Sequence, residues 1–296
     1  MKKISVFIPN YNNGRFLPEC LDSILKQSEP PDEIIVIDDG STDNSVELIQ
    51  SYQKKWPQIA LLKNGTNQGA HFTINRGIQA TKNTFIFGLA SDDLAFPTLI
   101  EQASQLIEQN GSIGFVFGNV ATFHDQKPYE FSIRKLIGVE KPTLFQPEET
   151  IELLRKTNAF FPSTTCVYRK DLIHYYGGFN RALLSLTDYY LNTQIAFRHP
   201  IAYIPEVLAA ARTVTTSYGQ TIRRDWKKRI GMLDSLMHLI WTKEDKKFRK
   251  DFLRSGFLSF NGYFMILYLM LHPRYWLHLP FITWKVIQRK RRCDCQ

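Results

Sequence analysis

Cysteine is scarce in this chain, with four in 296 residues: Cys20, Cys166, Cys293 and Cys295. So few, so scattered, exclude a disulfide framework and favour a reducing compartment. The last two fall in "RRCDCQ" with no histidine or second cysteine pair nearby to complete the four ligands zinc normally takes. Long apolar runs are also missing. The most apolar stretch, Phe257 to Leu271, covers 15 positions and is followed by Pro273 and Arg274, whereas a membrane span needs about 20 residues. The opening "MKKISVFIPNYNN" has neither the apolar core nor the small-residue cleavage site of a signal peptide, so a cytosolic start is expected. No G-x-G-x-x-G follows the first strand pattern and no G-x-x-x-x-G-K-[ST] occurs, which removes the usual backbone cradles for phosphate. Neither a G-x-S-x-G elbow nor an H-E-x-x-H pair is present, and no internal repeat or low-complexity tract appears.

What is there is the composition of an ordinary globular protein, 44% hydrophobic and 22% charged. The net charge of +9 is unevenly spread. Residues 1–221 hold 20 Lys and Arg against 22 Asp and Glu, a net of −2; residues 222–296 hold 17 against 6, a net of +11. A near-neutral body with a basic tail does not suit nucleic acid, because the body offers neither a basic face nor a stacked-aromatic pattern.

Strand and helix patterns alternate over the first 120 residues. Strands are predicted at 4–8, 33–38, 59–63, 84–90 and 113–119, and helices at 16–27, from "STDNSVELIQSY" onward, 70–81 and 97–110. The run "EIIVID" is apolar without alternation, as in a strand buried on both faces. Such alternation predicts a mostly parallel sheet flanked by helices, with ligands bound beyond the carboxyl ends of its strands. Residues 120–147 lack periodicity and read as a long excursion. Helices follow at 147–158 and 186–198, a strand at 163–170, and two short strands in "IAYIPEVLAAAR".

The candidate chemistry lies in acids at loop positions. Asp38 and Asp39 in "IDDGSTDNS", and Asp92 and Asp93 in "FGLASDDLAFP", both follow strand patterns and so can converge on one crevice. Alone, each pair reads equally well as a helix cap, as does Asp188 in "SLTDYY". His71 and His174 read as structural or surface residues.

Taken together, "SVFIPNYNNGRFLPECLDSILKQ", "DEIIVIDDGSTDNS" and "NQGAHFTINRGIQATKNTFIFGLASDD" resemble the family 2 glycosyltransferases with the GT-A fold. The resemblance is strong over residues 4 to 119 and continues more weakly through "YYGGFN" and "TDYYLNTQIAFRHPIAYIPE". It implies a GT-A domain over 1–218, with a nucleotide-sugar half at 1–119 and an acceptor half at 120–218, and a helical, basic and aromatic extension at 219–296. Pro9 and Tyr11 would border the base and ribose of a nucleotide, and Asp39 would hydrogen-bond one of them. Asn67, Gly69 and Asn75 would shape the nucleotide pocket. Asp93 would ligate a divalent ion, manganese or magnesium, while Asp92 reaches ribose or donor-sugar hydroxyls. Asp188 would be the general base of an inverting transfer, a role worth about 10²–10⁴-fold. The donor would be a nucleotide-diphosphate sugar, foremost a UDP-sugar. Apart from the resemblance, a diphosphate leaving group gains negative charge as its bond breaks, and a hard cation held by carboxylates stabilises that charge.

Three departures from the family stand out. Ser91 occupies the place where many relatives carry a first acid, so the work should fall on the adjacent pair. Ile74 stands where many have an arginine. In "ARTVTTSY" the histidine of an Arg-x-His element is replaced, leaving Arg212 and the hydroxyls of Thr213, Thr215, Thr216 and Ser217 to engage phosphate. The expected activity is transfer of a hexosyl or related group to a saccharide or lipid-linked glycan in cell-surface polysaccharide synthesis. Trp276, Phe281, Trp284 and the terminal Arg/Lys cluster suit a monotopic element on the cytosolic membrane face, so a cytoplasmic, peripheral location is expected. Packing of these helices on the body or on a second copy is the alternative, and a homo-oligomer is compatible with the sequence. A nucleotidyltransferase acting on sugar phosphates, or a non-catalytic nucleotide-sugar-binding scaffold, are the rival functions.

Overall fold

The computed structural model describes residues 3–293 apart from 158, 215–220 and 223. Thr215, Thr216, Ser217 and Cys295 therefore lie outside the described residues.

The chain starts with three strand–helix units: β1 (Ile4–Asn10), α1 (Leu17–Leu25), β2 (Glu33–Asp38), α2 (Ser45–Lys55), β3 (Ile59–Lys63) and α3 (Ala70–Ala80). There follow β4 (Phe85–Gly88), the short β5 (Leu94–Ala95), α4 (Leu99–Gln109) and β6 (Phe115–His124). The order across the ten-stranded sheet begins β3-β2-β1-β4, all parallel. Two strands are thus laid down on one side of β1 before the chain crosses to its other side. That reversal between β1 and β4 splits the connecting loops apart and opens a crevice beyond their carboxyl ends.

Why these segments are strands is visible in their burial. Val6 and Ile8 face one core while Phe7 faces another, and Ile34 and Val36 oppose Ile35 and Ile37 in the same way. Every side chain of β2 after Glu33 is buried, as the unbroken apolar run implies. Helices α1, α2 and α4 cover the first face with Leu21, Ile49 and Ala103. Helix α3 covers the second face, with Gly77 set so close that a Cβ there would stand 2.7 Å from Ile37 and 2.9 Å from Phe7.

The second half departs from the pattern predicted from sequence. Residues 120–147 contain structure: β6 runs on to His124 and turns back as β7 (Lys127–Arg134), and β8 (Thr143–Phe145) pairs antiparallel with a later strand. Helix α5 (Pro147–Lys156) precedes β9 (Val167–Arg169), which lies antiparallel between β4 and β6, then α6 (Lys170–Tyr175) and α7 (Thr187–Ala196). The two strands expected in "IAYIPEVLAAAR" are one strand, β10 (Ile201–Thr213), parallel to β6 with register shifts between Ile204 and Val207 and between Val207 and Ala209. A bulge of this kind absorbs Pro205, which cannot donate to a ladder, without ending the strand.

The tail forms α8 (Trp226–Thr242), α9 (Lys246–Ser255), α10 (Gly262–Met270) and α11 (Leu279–Cys293). Helix α9 opens on Asp245, whose carboxylate accepts from Phe248 N at 2.8 Å, and closes on Gly256 in the left-handed conformation at φ 74°. Leu233, Leu236, Phe252, Tyr268 and Ile282 belong to the same buried cluster as Phe115, Leu191 and Phe197 of the body. A buried Glu244 ties the tail to the body, accepting from Tyr190 Oη at 2.6 Å and Gln194 Nε2 at 2.8 Å and pairing with Arg198 at 2.6 Å. Truncating Leu236 to alanine would cost about 2–5 kcal/mol in lost burial and the cavity left behind. Among the described residues no helix is long and apolar enough to cross a membrane.

Candidate functional site

The end of β2 turns sharply at Gly40, where φ is +73° and a Cβ would strike the Thr66 backbone at 2.8 Å. Glycine is therefore required for the close approach of the loop that follows β3. Asp38 and Asp39, both buried, are spent on that approach. Asp38 accepts from Asn10 Nδ2 and Ser41 N, each at 3.0 Å. Asp39 accepts from Asn64 Nδ2 at 2.7 Å, Gln68 N at 2.9 Å and Gly69 N at 2.9 Å. A carboxylate offers about four acceptor positions, so three of those on Asp39 already hold the 64–69 loop against the strand end. Arg76 reinforces the loop by hydrogen-bonding Lys63 O at 2.7 Å and the Asn64 side-chain oxygen.

The pair at the end of β4 is arranged otherwise. Asp93 is buried and Asp92 half-buried. Asp93 Oδ1 accepts from Arg212 N at 2.8 Å, while Arg212 Nε donates to the main-chain oxygen of Asp92 at 2.9 Å. Burial drives the Asp93 carboxyl well above the usual carboxylate range, and the like charge of Asp92 adds to it; the Arg212 hydrogen bond and charge oppose both. Burial raises Asp92 as well. Folding thus leaves two adjacent carboxylates whose charged forms are disfavoured and that a cation would stabilise. Two adjacent carboxylates are the oxygen donors a hard divalent ion takes when phosphate supplies other ligands; among the described residues no group of three or more His, Cys, Asp or Glu could hold an ion by itself.

Arg212 is not placed to engage phosphate as expected. Its side chain is 3% exposed and sandwiched between the rings of Phe16 and Phe123, 4.3 and 4.5 Å from their centroids. Its guanidinium pairs with Glu19 and, at 3.5 Å, with Asp125. Its work is to hold the Asp92–Asp93 turn. Ser91 is buried too, and its hydroxyl accepts from Asn13 Nδ2 at 3.0 Å, tying the loop after β1 to the same turn.

A cleft of about 130 Å³ lies at the carboxyl ends of β1 and β4, at the strand-order reversal, and is lined by Pro9, Asp93, Ser163, Thr164 and Phe179. Ser163 donates to Asp188 Oδ2 at 3.0 Å, and Asp188 Oδ1 accepts from Tyr189 N at 2.9 Å. Asp188, in the first turn of α7, is half-buried. Burial lifts its carboxyl above the ordinary range, against the Ser163 and Tyr189 hydrogen bonds and the nearby His71. A carboxylate made more basic in this way, at the edge of a cleft, is suited to taking a proton.

The remaining residues expected at the site divide into two groups. Tyr11 is exposed at the rim, at 43%, available to a planar ligand. Asn67, exposed, and Gly69, the residue before α3, share a hydrogen bond from Gly69 N to Asn67 Oδ1 at 2.9 Å within the Asp39-held loop. Asn75 faces away from that loop: Nδ2 donates to Phe179 O and Oδ1 accepts from Phe179 N, both at 2.9 Å. One N–H and one lone pair of its amide are committed there, to a residue that itself lines the cleft. Ile74 lines the same cleft. Sequence reading missed Glu19, Asn64, Asp125 and Ser163, whose contacts to Arg212, Asp39 and Asp188 span 25 to 193 positions. Nothing in their local sequence marks them.

A doubly covered sheet of this order, with acid pairs at the ends of β2 and β4 and a cleft at the reversal between them, defines the GT-A class of fold. The profile of "Glycosyl transferase family 2" matches residues 5–177, and the chain belongs to that family. It is 35% identical over 122 residues to the glycosyltransferase GlyG of Streptococcus pneumoniae, covering 41% of this chain and 40% of that one. An uncharacterized glycosyltransferase of Haemophilus influenzae is 30% identical over 187 residues, covering 63% of this chain and 59% of that one. The chain thus spans less than two thirds of these relatives. Among solved structures, S. aureus TarS 1-349 in complex with UDP-GlcNAc superposes with a TM-score of 0.63 at 17% identity, over 98% of this chain and 92% of that one. Mannosyltransferase PcManGT from Pyrobaculum calidifontis, in complex with GDP-Man and Mn2+, gives 0.60 at 17% identity, over 99% and 75%.

Proposed function

We propose that this protein is an inverting glycosyltransferase that moves a sugar from a nucleotide-diphosphate donor, foremost a UDP-sugar, to a glycan or lipid-linked acceptor. One observation carries the reading: Pro9, Asp93 and Ser163, the hydrogen-bond partner of Asp188, line a single cleft at the strand reversal. The base and ribose are received by Pro9 and Tyr11 and the 64–69 loop, whose shape Asp39 fixes. Asp92 takes a sugar or ribose hydroxyl. Asp93 would hold manganese or magnesium, which when bound neutralises the diphosphate as it departs. Asp188 accepts the proton of the acceptor hydroxyl as that oxygen attacks the anomeric carbon from the side opposite the leaving group. Ser163 donates to the other oxygen of Asp188 and orients it. Attack from that side inverts the anomeric configuration. The UDP-GlcNAc held by TarS and the GDP-Man and Mn2+ held by PcManGT support this donor and metal class.

The acceptor belongs to cell-surface polysaccharide synthesis, and the protein works as a peripheral enzyme on the cytosolic face of the membrane. Exposed large apolar residues gather in the tail, where Leu271 is 63%, Trp276 56%, Leu277 91% and Trp284 52% exposed. With the net of +11 on residues 222–296, that surface suits an anionic bilayer.

Incubating the full chain with UDP-glucose, UDP-galactose, UDP-N-acetylglucosamine and GDP-mannose, with and without manganese, tests the activity. One donor is expected to yield nucleoside diphosphate in a metal-dependent way; release of pyrophosphate, or no diphosphate from any donor, overturns it. For Asp188, kcat/KM should rise with pH through a group above the ordinary carboxylate range, because the base acts only when deprotonated. Asp188→Asn should remove that limb together with about 10²–10⁴ of the rate.

A further inference from the structure

His71 and Asn75 stand four positions apart on α3, and so one above the other on a single helix face. His71 is buried, 6% exposed, with Nε2 3.0 Å from the main-chain oxygen of Leu184. That oxygen can only accept, so Nε2 carries the proton and donates. Asn75 matches both main-chain groups of Phe179, as donor and acceptor. Both contacts leave the first half of the chain and seize main chain more than a hundred positions later. A helix needed only to cover the sheet would place apolar side chains here.

What they seize matters. Leu184 has φ 45° and ψ −121°, a left-handed conformation that a branched residue keeps only when its surroundings over-determine it. It lies in the 3₁₀ turn Arg181–Leu186, which runs directly into α7 and Asp188. Two positions before His71, at the same end of α3, stands Gly69, whose N–H is bound by Asp39. One helix therefore connects the donor loop to the turn before the base.

We infer that His71 and Asn75 are positioning residues that set Asp188 against the donor by tying the turn before α7 to the helix that follows the donor loop. This rests on the reading of Asp188 as the base. The physical stake is registration: displacing a reacting group by about 1 Å can cost about 10²-fold in rate.

The test uses the full chain with manganese and whichever of the four donors above turns over. His71→Ala should lower kcat by about 10- to 100-fold, with donor KM and the dissociation constant for UDP changed by less than about twofold. His71→Gln, whose side-chain amide can still donate to Leu184, should recover most of the loss. On an Asp188→Asn background, His71→Ala should cost less than about twofold more, since there is no longer a base to misplace. Should His71→Ala fail to fold, His71→Gln and Asn75→Asp carry the test. The aspartate keeps the acceptor for Phe179 N and loses the donor to Phe179 O, and a fall in kcat at constant KM is again expected. The inference is overturned if KM rises while kcat holds, if glutamine does no better than alanine, or if the His71 and Asp188 losses multiply. An Asp188→Asn variant with wild-type turnover defeats the base reading itself, and the inference with it.

Discussion

The ends of β2 and β4 each carry two adjacent aspartates, and they are put to opposite uses. At β2 the carboxylates are consumed by the chain: Asn10, Ser41, Asn64, Gln68 and Gly69 supply their hydrogen bonds, and the pair acts as a clamp on a loop. At β4 Arg212 holds the turn and its N–H satisfies one oxygen of Asp93, yet burial, with repulsion from Asp92, still raises the Asp93 carboxyl. Identical residue types, one pair at the very end of β2 and the other in the turn between β4 and β5, become architecture in one case and a concentration of disfavoured charge in the other. The difference lies in what the next turn donates: Gly40 folds back to meet the 64–69 loop, whereas Asp92–Asp93 meet the buried Arg212.

If that contrast holds, the two pairs should break differently. Asp93→Asn should lower metal-dependent turnover by about 10²–10³-fold or more and leave the melting temperature the same or higher, since it removes a charge that burial disfavours. Kinetics and a thermal melt on the same sample check this; a large loss of stability would mean that Asp93 is architectural after all. Asp39→Ala should do the reverse, costing about 1–3 kcal/mol of stability for each buried donor left unpaired and weakening UDP affinity through the loop rather than by lost contact. Denaturant unfolding and calorimetry distinguish the two effects. Ser91→Ala should be mildest: it removes a single hydrogen bond from Asn13, about 0.5–1.5 kcal/mol, and should change turnover far less than Asp93→Asn.

Legibility followed the range of the interactions. Strand β2 coincides with its predicted bounds because four consecutive apolar residues, Ile34 to Ile37, are buried on both faces. Helix α3 ends one residue short of its predicted bounds, although its buried side chains include His71 and Thr73. The hairpin of β6 and β7 was not: Ala121 and Phe123 form only a small cluster with Ala210, flanked by Phe96 and Phe131, and the surrounding sequence is polar. The acid pairs were legible as a constellation, but their division of labour was not, because it depends on donors 25 to 119 positions away. Arg212 shows the limit plainly. An arginine after a late strand looks like a phosphate ligand until Phe16, Phe123 and Glu19 are seen to close around it.

The shared core of body and tail has a consequence for how such chains can be recombined. Leu183, Leu186, Tyr190 and Phe197 lie in one buried cluster with Leu236, Met237 and Phe252, so the last helices are not cargo that another protein could exchange for its own. A chain of this fold that ended near residue 218 would have to rewrite those four positions in polar residues, and grafting this tail onto it would demand the reverse. The sequence of α7 and of the turn before it therefore records, inside the body, whether a tail of this kind is attached.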